Sequence, residues 1–228
     1  MLTLYTAIGT LKFKKCPNGK SLPTVINGDQ EYGLSDQELI LWGCLAFQVL
    51  QIHELKNAYT FRLENSDKKQ ALPFSHYLNR LLLRGLIVKG EGLTGVDALY
   101  RLFGELHIMP VVNTFPIRLF TYIQLRLEGK ANSADIGKYL QKAKYTPMEK
   151  IILRLAQEVP ITTAELVTCV ELGKENLQSG QMLDELYQNQ ETSFQTLAED
   201  AQIHHIQYPV LQAIGNLYLN KQISFQRL

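Results

Sequence analysis

The chain begins with β-like patterns and continues with helical ones. Residues 11–15 alternate apolar and basic side chains, and an Asn27-Gly28 pair separates a β-branched stretch at 24–26 from Glu31 and Tyr32. Alternation with a period of two and Asn-Gly pairs are typical of β-hairpins. The pattern therefore predicts a small β meander ahead of the first helix.

Two helical patterns follow the predicted meander. Ser35 and Glu38 have the spacing of a capping box, in which each side chain bonds the backbone of the other residue. This box opens the first helix. A second helical stretch covers residues 52–63, with apolar side chains at helical spacing. A polar loop then leads to Pro73, which suits the first turn of a third helix.

The third helix and the strand after it are the most informative part of the chain. Over residues 73–84 the apolar side chains recur at three and four residues, so they share one face. The opposite face is polar and basic. Gly85 suits the left-handed end of a helix. Residues 86–88 then form a strand, followed by a charged, glycine-flanked tip that contains Lys89.

Three helices followed by a strand and a charged tip resemble winged helix-turn-helix DNA-binding regulators. The resemblance covers residues 35–92 and concerns the fold. It implies that the third helix enters the major groove of DNA and that the strand begins a wing. Only residues 92–96 are available for the return strand of the wing, so a short wing is expected.

The resemblance also implies a role for the polar side chains of the third helix and the tip. Asn79 and Arg80 are expected to face base edges. Arg84 and Lys89, together with His76, are expected to contact phosphate groups. The expected DNA-binding residues are Ser75, His76, Asn79, Arg80, Arg84 and Lys89.

The fold class predicted from these elements is mainly α with small β elements, an α+β protein. Residues 1–112 are predicted to form a β meander plus a winged-helix domain, and residues 113–145 a helical connector. Residues 146–228 are predicted to form a helical C-terminal domain. It opens with a second capping box at Thr146 and Glu149.

The end of the chain repeats the order of elements that begins at Pro73. Both stretches run proline, amphipathic helix, polar turn and short strand. When Pro73 is set on Pro209, the coinciding apolar pairs are Leu78 with Ile214, Leu81 with Leu217, Leu83 with Leu219 and Ile87 with Ile223. Either the C-terminal domain is a second winged-helix unit, or helical periodicity alone produces these matches.

Charge divides the chain into a basic part and an acidic part. Residues 1–110 carry 12 Lys/Arg against 10 Asp/Glu, and residues 111–157 carry 8 against 3. Residues 158–228 carry 3 against 9, a net of −6. The basic part is suited to a polyanion, since phosphate binding depends on neutralising charge. Alternatively, the two parts are complementary surfaces that pack together.

The second unit, if present, is expected to differ in function from the first. Its last helix would expose Gln212, Asn216, Asn220 and Lys221 within acidic surroundings, a surface that phosphates repel. We expect this domain to mediate homodimerisation, partner binding or regulation. The apolar stretch at 115–127 is a second candidate for a dimer interface.

Catalytic, metal and cofactor motifs are absent from the sequence. No glycine-rich phosphate loop occurs, and the histidines lack acidic partners at ligand spacing. We therefore expect neither an enzyme nor a bound metal or cofactor. Three isolated cysteines, no membrane-length apolar run and no signal peptide favour a cytoplasmic protein that does not enter a membrane.

The function expected from the sequence is that of a bacterial-type DNA-binding transcriptional regulator. Its partner would be double-stranded DNA, read by the helix at 73–84. The alternative is a tandem winged-helix interaction module in a larger complex. Such a module binds protein partners and does not itself read a DNA sequence.

Overall fold

The computed structural model describes residues 1–15, 21–66, 72–111, 144–174, 186–187 and 193–228. These residues form an α+β structure with small antiparallel sheets. The strands are β1 (Leu2–Ala7), β2 (Thr10–Lys15), β3 (Ser21–Asn27), β4 (Gln30–Gly33), β5 (Leu50–Gln51), β6 (Ile87–Gly92), β7 (His107–Pro110), β8 (Ile161–Thr162) and β9 (Ile223–Gln226). The helices are α1 (Asp36–Leu45), α2 (Ile52–Glu64), α3 (Phe74–Leu83), α4 (Gly95–Phe103), α5 (Pro147–Glu158), α6 (Thr163–Glu171), α7 (Phe194–Ile203) and α8 (Gln207–Leu219).

The predicted meander is confirmed and consists of β2, β3 and β4 in that order. The turn between β3 and β4 passes through Gly28, whose φ of 57° lies in the left-handed region that favours glycine. Val25 of the central strand is fully buried. The lysines of the edge strand β2 are exposed, as is common where a sheet edge faces solvent.

The predicted capping boxes are also present. At the start of α1, the Ser35 N–H donates to Glu38 Oε2 at 2.8 Å, and the Glu38 N–H donates to Ser35 Oγ at 3.4 Å. Thr146 and Glu149 make the same pair of bonds at the start of α5. Each box satisfies backbone N–H groups that have no partner within the helix.

The first three helices cover one face of a sheet in which β1 lies between β5 and β6. β1 runs antiparallel to β6, with Ala7 opposite Ile87. Both of these side chains point into the cluster of buried residues contributed by α1, α2 and α3. Leu4 and Val88 face the opposite side and join the cluster that continues into the C-terminal half. Successive side chains of a strand point to opposite faces, so both faces of this sheet are covered by packed residues.

The prediction of a short return strand at residues 92–96 is wrong. β6 extends to Gly92, so the expected wing tip is part of the strand, and α4 begins at Gly95. The glycines serve close packing, because a Cβ built on Gly90 would lie 2.3 Å from the Ala98 carbonyl oxygen of α4. The antiparallel neighbour of β6 is β1, from the start of the chain.

A second unit repeats this arrangement in the C-terminal half. Its sheet has the order β8-β7-β9, with the earliest strand again in the centre. Ile223 of β9 lies opposite Pro110 of β7, as Ile87 lies opposite Ala7 in the first unit. The offset that aligns Pro73 with Pro209 therefore also aligns the strands of the two sheets, which helical periodicity alone does not require.

The helix that precedes the last strand of each unit, α3 in the first and α8 in the second, ends in the same way. The amide of Leu86 donates to the Leu81 carbonyl at 2.9 Å, and the amide of Gln222 donates to the Leu217 carbonyl at 2.8 Å. The residues between them, Gly85 and Lys221, have φ of 63° and 58°. This is the hydrogen-bond pattern of a helix closed by one left-handed residue.

Tyr218 of α8 joins the two units. Its buried hydroxyl lies 2.7 Å from Thr6 Oγ1, accepts from the Phe47 amide at 3.1 Å, and lies 3.1 Å from the Ala7 carbonyl oxygen. Its ring packs with that of Phe225 at a centroid distance of 5.0 Å. The contact ties α8 to the sheet of the first unit.

The predicted boundary at residue 112 separates β7 from the strands with which it pairs. β7 forms the centre of the second sheet, with His107 opposite both Thr162 and Gln226. The predicted connector at 113–145 and the apolar stretch at 115–127 lie outside the described residues, apart from 144 and 145. No helix in the described ranges is long and apolar enough to cross a membrane.

Candidate nucleic-acid interface on the third helix

The apolar side of α3 holds the helix in the first unit. Tyr77, Leu78 and Leu81 are buried against α1, α2 and the sheet. They recur at one-turn spacing, as the sequence pattern predicts. Pro73 precedes the first turn with an extended backbone, φ −58° and ψ 149°. Packing of this side determines which residues of α3 face outward.

Four of the predicted DNA-binding residues lie together on the outward side of α3. Ser75, His76, Asn79 and Arg80 are all exposed. They form two adjacent pairs four residues apart, which places the pairs on neighbouring turns of the helix. Leu83, at the end of the same helix, is 88% exposed, so the face combines hydrogen-bonding groups with one apolar side chain.

Arg84 does not share this outward face. Its Nη1 lies 3.2 Å from Glu38 Oε1, and its Nη2 donates to the Gly33 carbonyl at 2.7 Å. The guanidinium carbon also stands 5.3 Å from the centre of the Tyr32 ring, a cation–π distance. The side chain is thus bound to α1 and to the end of the meander.

Glu38 was predicted only as part of the capping box, and its contacts with arginine were not predicted. It is only 1% exposed, and its Oε1 also lies 3.3 Å from Arg80 Nε. One buried carboxylate therefore holds both arginines of α3 while its other oxygen completes the capping box. The spacing of Arg80 and Arg84, one turn apart, was the available signal, because such a pair faces one neighbour.

Lys89 lies on β6, apart from the helix. It is exposed, and its Nζ donates to Glu91 Oε1 at 2.8 Å. This hydrogen bond and the charge of Glu91 raise the pKa of Lys89. The lysine and the glutamate alternate along one side of the strand, so the expected wing cation is compensated by its neighbour.

The equivalent face in the second unit carries no charge within α8, and its one expected cation, Lys221, is exposed just after the helix. Gln212, Asn216 and Asn220 are exposed on or just after α8 at the positions of His76, Arg80 and Arg84 in the first unit. The helix itself contains no acidic or basic residue. The two units therefore present different chemistry at equivalent places.

The described residues contain no group of three or more histidine, cysteine, aspartate or glutamate side chains placed to hold a metal ion. Cys44 and Cys169 are buried thiols. Burial raises the pKa of Cys44, while the charge of Arg62 opposes the shift. A buried neutral thiol is a packing residue and not a nucleophile.

Comparison with models of known protein families, with curated protein sequences and with solved structures finds no match to this chain. The function is therefore inferred from the geometry of α3 and its neighbours.

Proposed function

We propose that this chain binds double-stranded DNA through the outward face of α3, in a winged-helix unit whose return strand is replaced by β1. The observation that carries the proposal is the joint exposure of Ser75, His76, Asn79 and Arg80 on one side of the third helix. A helix with such a face fits the major groove, where amide and guanidinium groups read base edges.

Arg80 is the residue to which we assign base reading. Its Nε contacts Glu38, yet its side chain remains 49% exposed. A guanidinium has five N–H donors, so this contact leaves the terminal nitrogens for O6 and N7 of guanine, the commonest specific contact of arginine. Because Glu38 restricts the orientation of the guanidinium in advance, less conformational entropy is lost on binding.

The surroundings of the other predicted DNA-binding residues indicate different roles. Asn79 is one turn from His76 on the exposed face and suits adenine, whose edge accepts and donates one hydrogen bond each. Ser75 and His76, in the first turn, suit phosphate. We assign Arg84 a structural role, because Glu38 and the Gly33 carbonyl occupy its terminal nitrogens.

Lys89 keeps its proposed role as a phosphate contact. Its partner Glu91 is itself exposed, and exposed ion pairs contribute little to stability. A DNA phosphate can therefore replace Glu91 at small cost. Lys89 would add affinity without sequence preference.

We assign the C-terminal unit to protein contact and not to DNA. The helix α8 has no cation on its exposed face, and residues 158–228 carry the net charge of −6. In a transcriptional regulator of bacterial type, such a unit would mediate homodimerisation or receive a partner. Sedimentation of the full chain over a range of concentrations measures the oligomeric state.

A protein-interaction module is the second candidate function, and one observation favours it. Glu38 compensates both arginines of α3, and Glu91 compensates Lys89. The face of α3 then carries less positive charge than its sequence indicates. Leu83 and Leu219, 88% and 51% exposed at equivalent helix ends, would supply apolar contacts to a protein.

Titration of the full chain with duplex DNA at several salt concentrations decides between the two functions. If DNA is the partner, affinity falls by orders of magnitude between about 50 and 200 mM salt, because bound phosphates release counterions. Absence of binding to any random-sequence duplex at about 50 mM salt would leave the interaction module as the function.

Single substitutions then test the assignment of residues. On a DNA site selected from a random pool, Arg80→Ala should remove about 1–3 kcal/mol of discrimination against random DNA. Lys89→Ala should weaken binding to both DNAs equally. Arg101→Ala is the matched control, since this exposed arginine lies on α4 and pairs with Asp97. Equal effects of Arg80→Ala and Arg101→Ala would contradict the assignment.

A further inference from the structure

The capping boxes of α1 and α5 place two glutamates at equivalent positions. Glu38 is 1% exposed and Glu149 is 7% exposed. In each, Oε2 accepts the N–H of the residue that caps the helix, at 2.8 Å from Ser35 and 2.7 Å from Thr146. The second oxygen of each carboxylate, Oε1, takes no part in this bond to the cap.

In the first unit this second oxygen holds arginine. Glu38 Oε1 lies 3.2 Å from Arg84 Nη1, while the Gly33 carbonyl and the Tyr32 ring complete the surroundings of the guanidinium. The unit therefore supplies a complete guanidinium site: a buried carboxylate, a backbone carbonyl and an aromatic ring. These are the groups that bind a planar, charged donor.

In the second unit the arginine is missing. Asn220 occupies the place of Arg84, and Asn216 that of Arg80. The matching helix ends at Gly85 and Lys221 confirm this alignment. From the described residues, no hydrogen bond or ion pair reaches Glu149 Oε1.

A cavity occupies the place of the missing side chain. It measures about 280 Å³ and is lined by Lys144, Tyr145, Glu149, Leu217, Asn220 and Gln222. This is just below the roughly 300–1,000 Å³ of ligand pockets, a size suited to one long side chain.

The remaining walls of the cavity repeat the first unit in part. Lys144 precedes the cap by two residues, as Gly33 does, so its carbonyl has the equivalent place in the sequence. Tyr145 is half-buried, and its hydroxyl donates to Gln222 Oε1 at 2.7 Å, which fixes the ring at the cavity wall. The Lys144 side chain is exposed and makes no ion pair with Glu149 among the described contacts.

We propose that this cavity binds the guanidinium group of an arginine presented by a protein partner. Among the described residues no cation pairs with the buried carboxylate of Glu149; such a carboxylate is costly, and an incoming cation removes that cost. A guanidinium is favoured over an ammonium, since it is more weakly hydrated and its planar fork can bond Glu149 and a carbonyl together. Leu219, exposed beside Asn220, offers the partner an apolar contact at the rim.

Calorimetric titration of the full chain with N-acetyl-arginine amide tests the site, with N-acetyl-lysine amide as the matched probe. We expect the arginine amide to bind at least about tenfold more tightly than the lysine amide. Equal affinities, or no heat from the arginine amide at tens of millimolar, would overturn the proposal.

Two substitutions locate the binding. Glu149→Gln keeps a residue that can complete the capping box and should abolish binding, whereas Glu171→Gln, at an exposed glutamate of α6, should not change it. Asn220→Arg should place the chain's own guanidinium on Glu149, raise the melting temperature and abolish binding. Unchanged affinity in Glu149→Gln would overturn the site, even if Asn220→Arg fails to fold.

Sedimentation identifies the source of the arginine. We expect Glu149→Gln to leave the oligomeric state of the chain unchanged, because the proposed partner is a different protein. A dimer that Glu149→Gln dissociates would overturn that assignment in favour of a second copy. None of these measurements involves DNA, so their outcome is separate from that of the proposed DNA binding.

Discussion

Arg84 of α3 and Glu38 of α1 meet across 46 residues of sequence, with Nη1 and Oε1 3.2 Å apart. The carboxylate is buried, and the same oxygen also contacts Arg80. This relationship links the packing of the first unit to the charge of its outward face. Any change at Glu38 should therefore alter both stability and binding.

Replacement of Glu38 by glutamine should weaken the fold and increase affinity for random-sequence DNA, where charge and not the orientation of Arg80 determines binding. The amide can still complete the capping box but no longer pairs with two partly exposed arginines, a loss of about 1–2 kcal/mol. The freed positive charge should strengthen binding to random duplex at low salt. Urea unfolding and salt-dependent titration measure the two effects. Unchanged stability would show that the pair contributes nothing.

Removal of the Tyr218 hydroxyl should weaken the contact between the two units and lower the stability of the protein. Tyr218→Phe keeps the ring but leaves Thr6 Oγ1 and the Phe47 amide without this partner in a buried place. We expect a loss of about 1–3 kcal/mol in the free energy of unfolding. The matched control is Tyr208→Phe, at an exposed tyrosine of the same helix. If both variants lose the same stability, the hydroxyl contacts are not the cause.

Lys221→Gly should stabilise the protein. Lys221 has φ of 58°, where an L-residue is strained by about 1 kcal/mol, while Gly85 has the same conformation in the first unit without that strain. We expect a gain of about 0.5–1 kcal/mol. Gly85→Ala should have the opposite sign. Thermal unfolding checks both, and a loss in Lys221→Gly would contradict the strain.

Acid should destabilise the second unit through His107. Burial lowers the pKa of His107, although the charge of Glu165 opposes the shift. Below the unfolded value of about 6.5 the unfolded chain binds more protons than the folded one, so stability falls as pH falls. His107→Gln should lose less stability than the wild type between about pH 7.5 and 5.5. Parallel urea titrations at these pH values check this, and identical slopes would exclude the histidine.

The helices and their caps could be predicted because their causes are local. Ser35 and Glu38 are three residues apart, and the apolar side chains of α3 recur within one or two turns. Such signals survive in a single sequence, since each depends on a few neighbouring side chains. The internal alignment of Pro73 with Pro209 was visible for the same reason.

The pairing of β6 was not predictable from the glycine-flanked tip. A hairpin wing and a strand that runs directly into a helix begin with the same residues. The choice depends on β1, whose residues lie 80 to 90 positions before their partners from Ala7–Ile87 to Leu2–Gly92. It depends also on α4, whose backbone packs on Gly90. Neither contact has a local signature in the sequence.

By itself the sequence determined which segments are helical, how they begin and end, and which side of α3 is polar. The tertiary structure decided what that polar side can do, because charge compensation depends on partners far apart in the chain. Glu38 binds Arg84 in one unit, while Glu149 faces Asn220 and a cavity in the other. The glutamate of the capping box thus binds the arginines of the third helix in the first unit, whereas in the second unit it has no cation among the described residues.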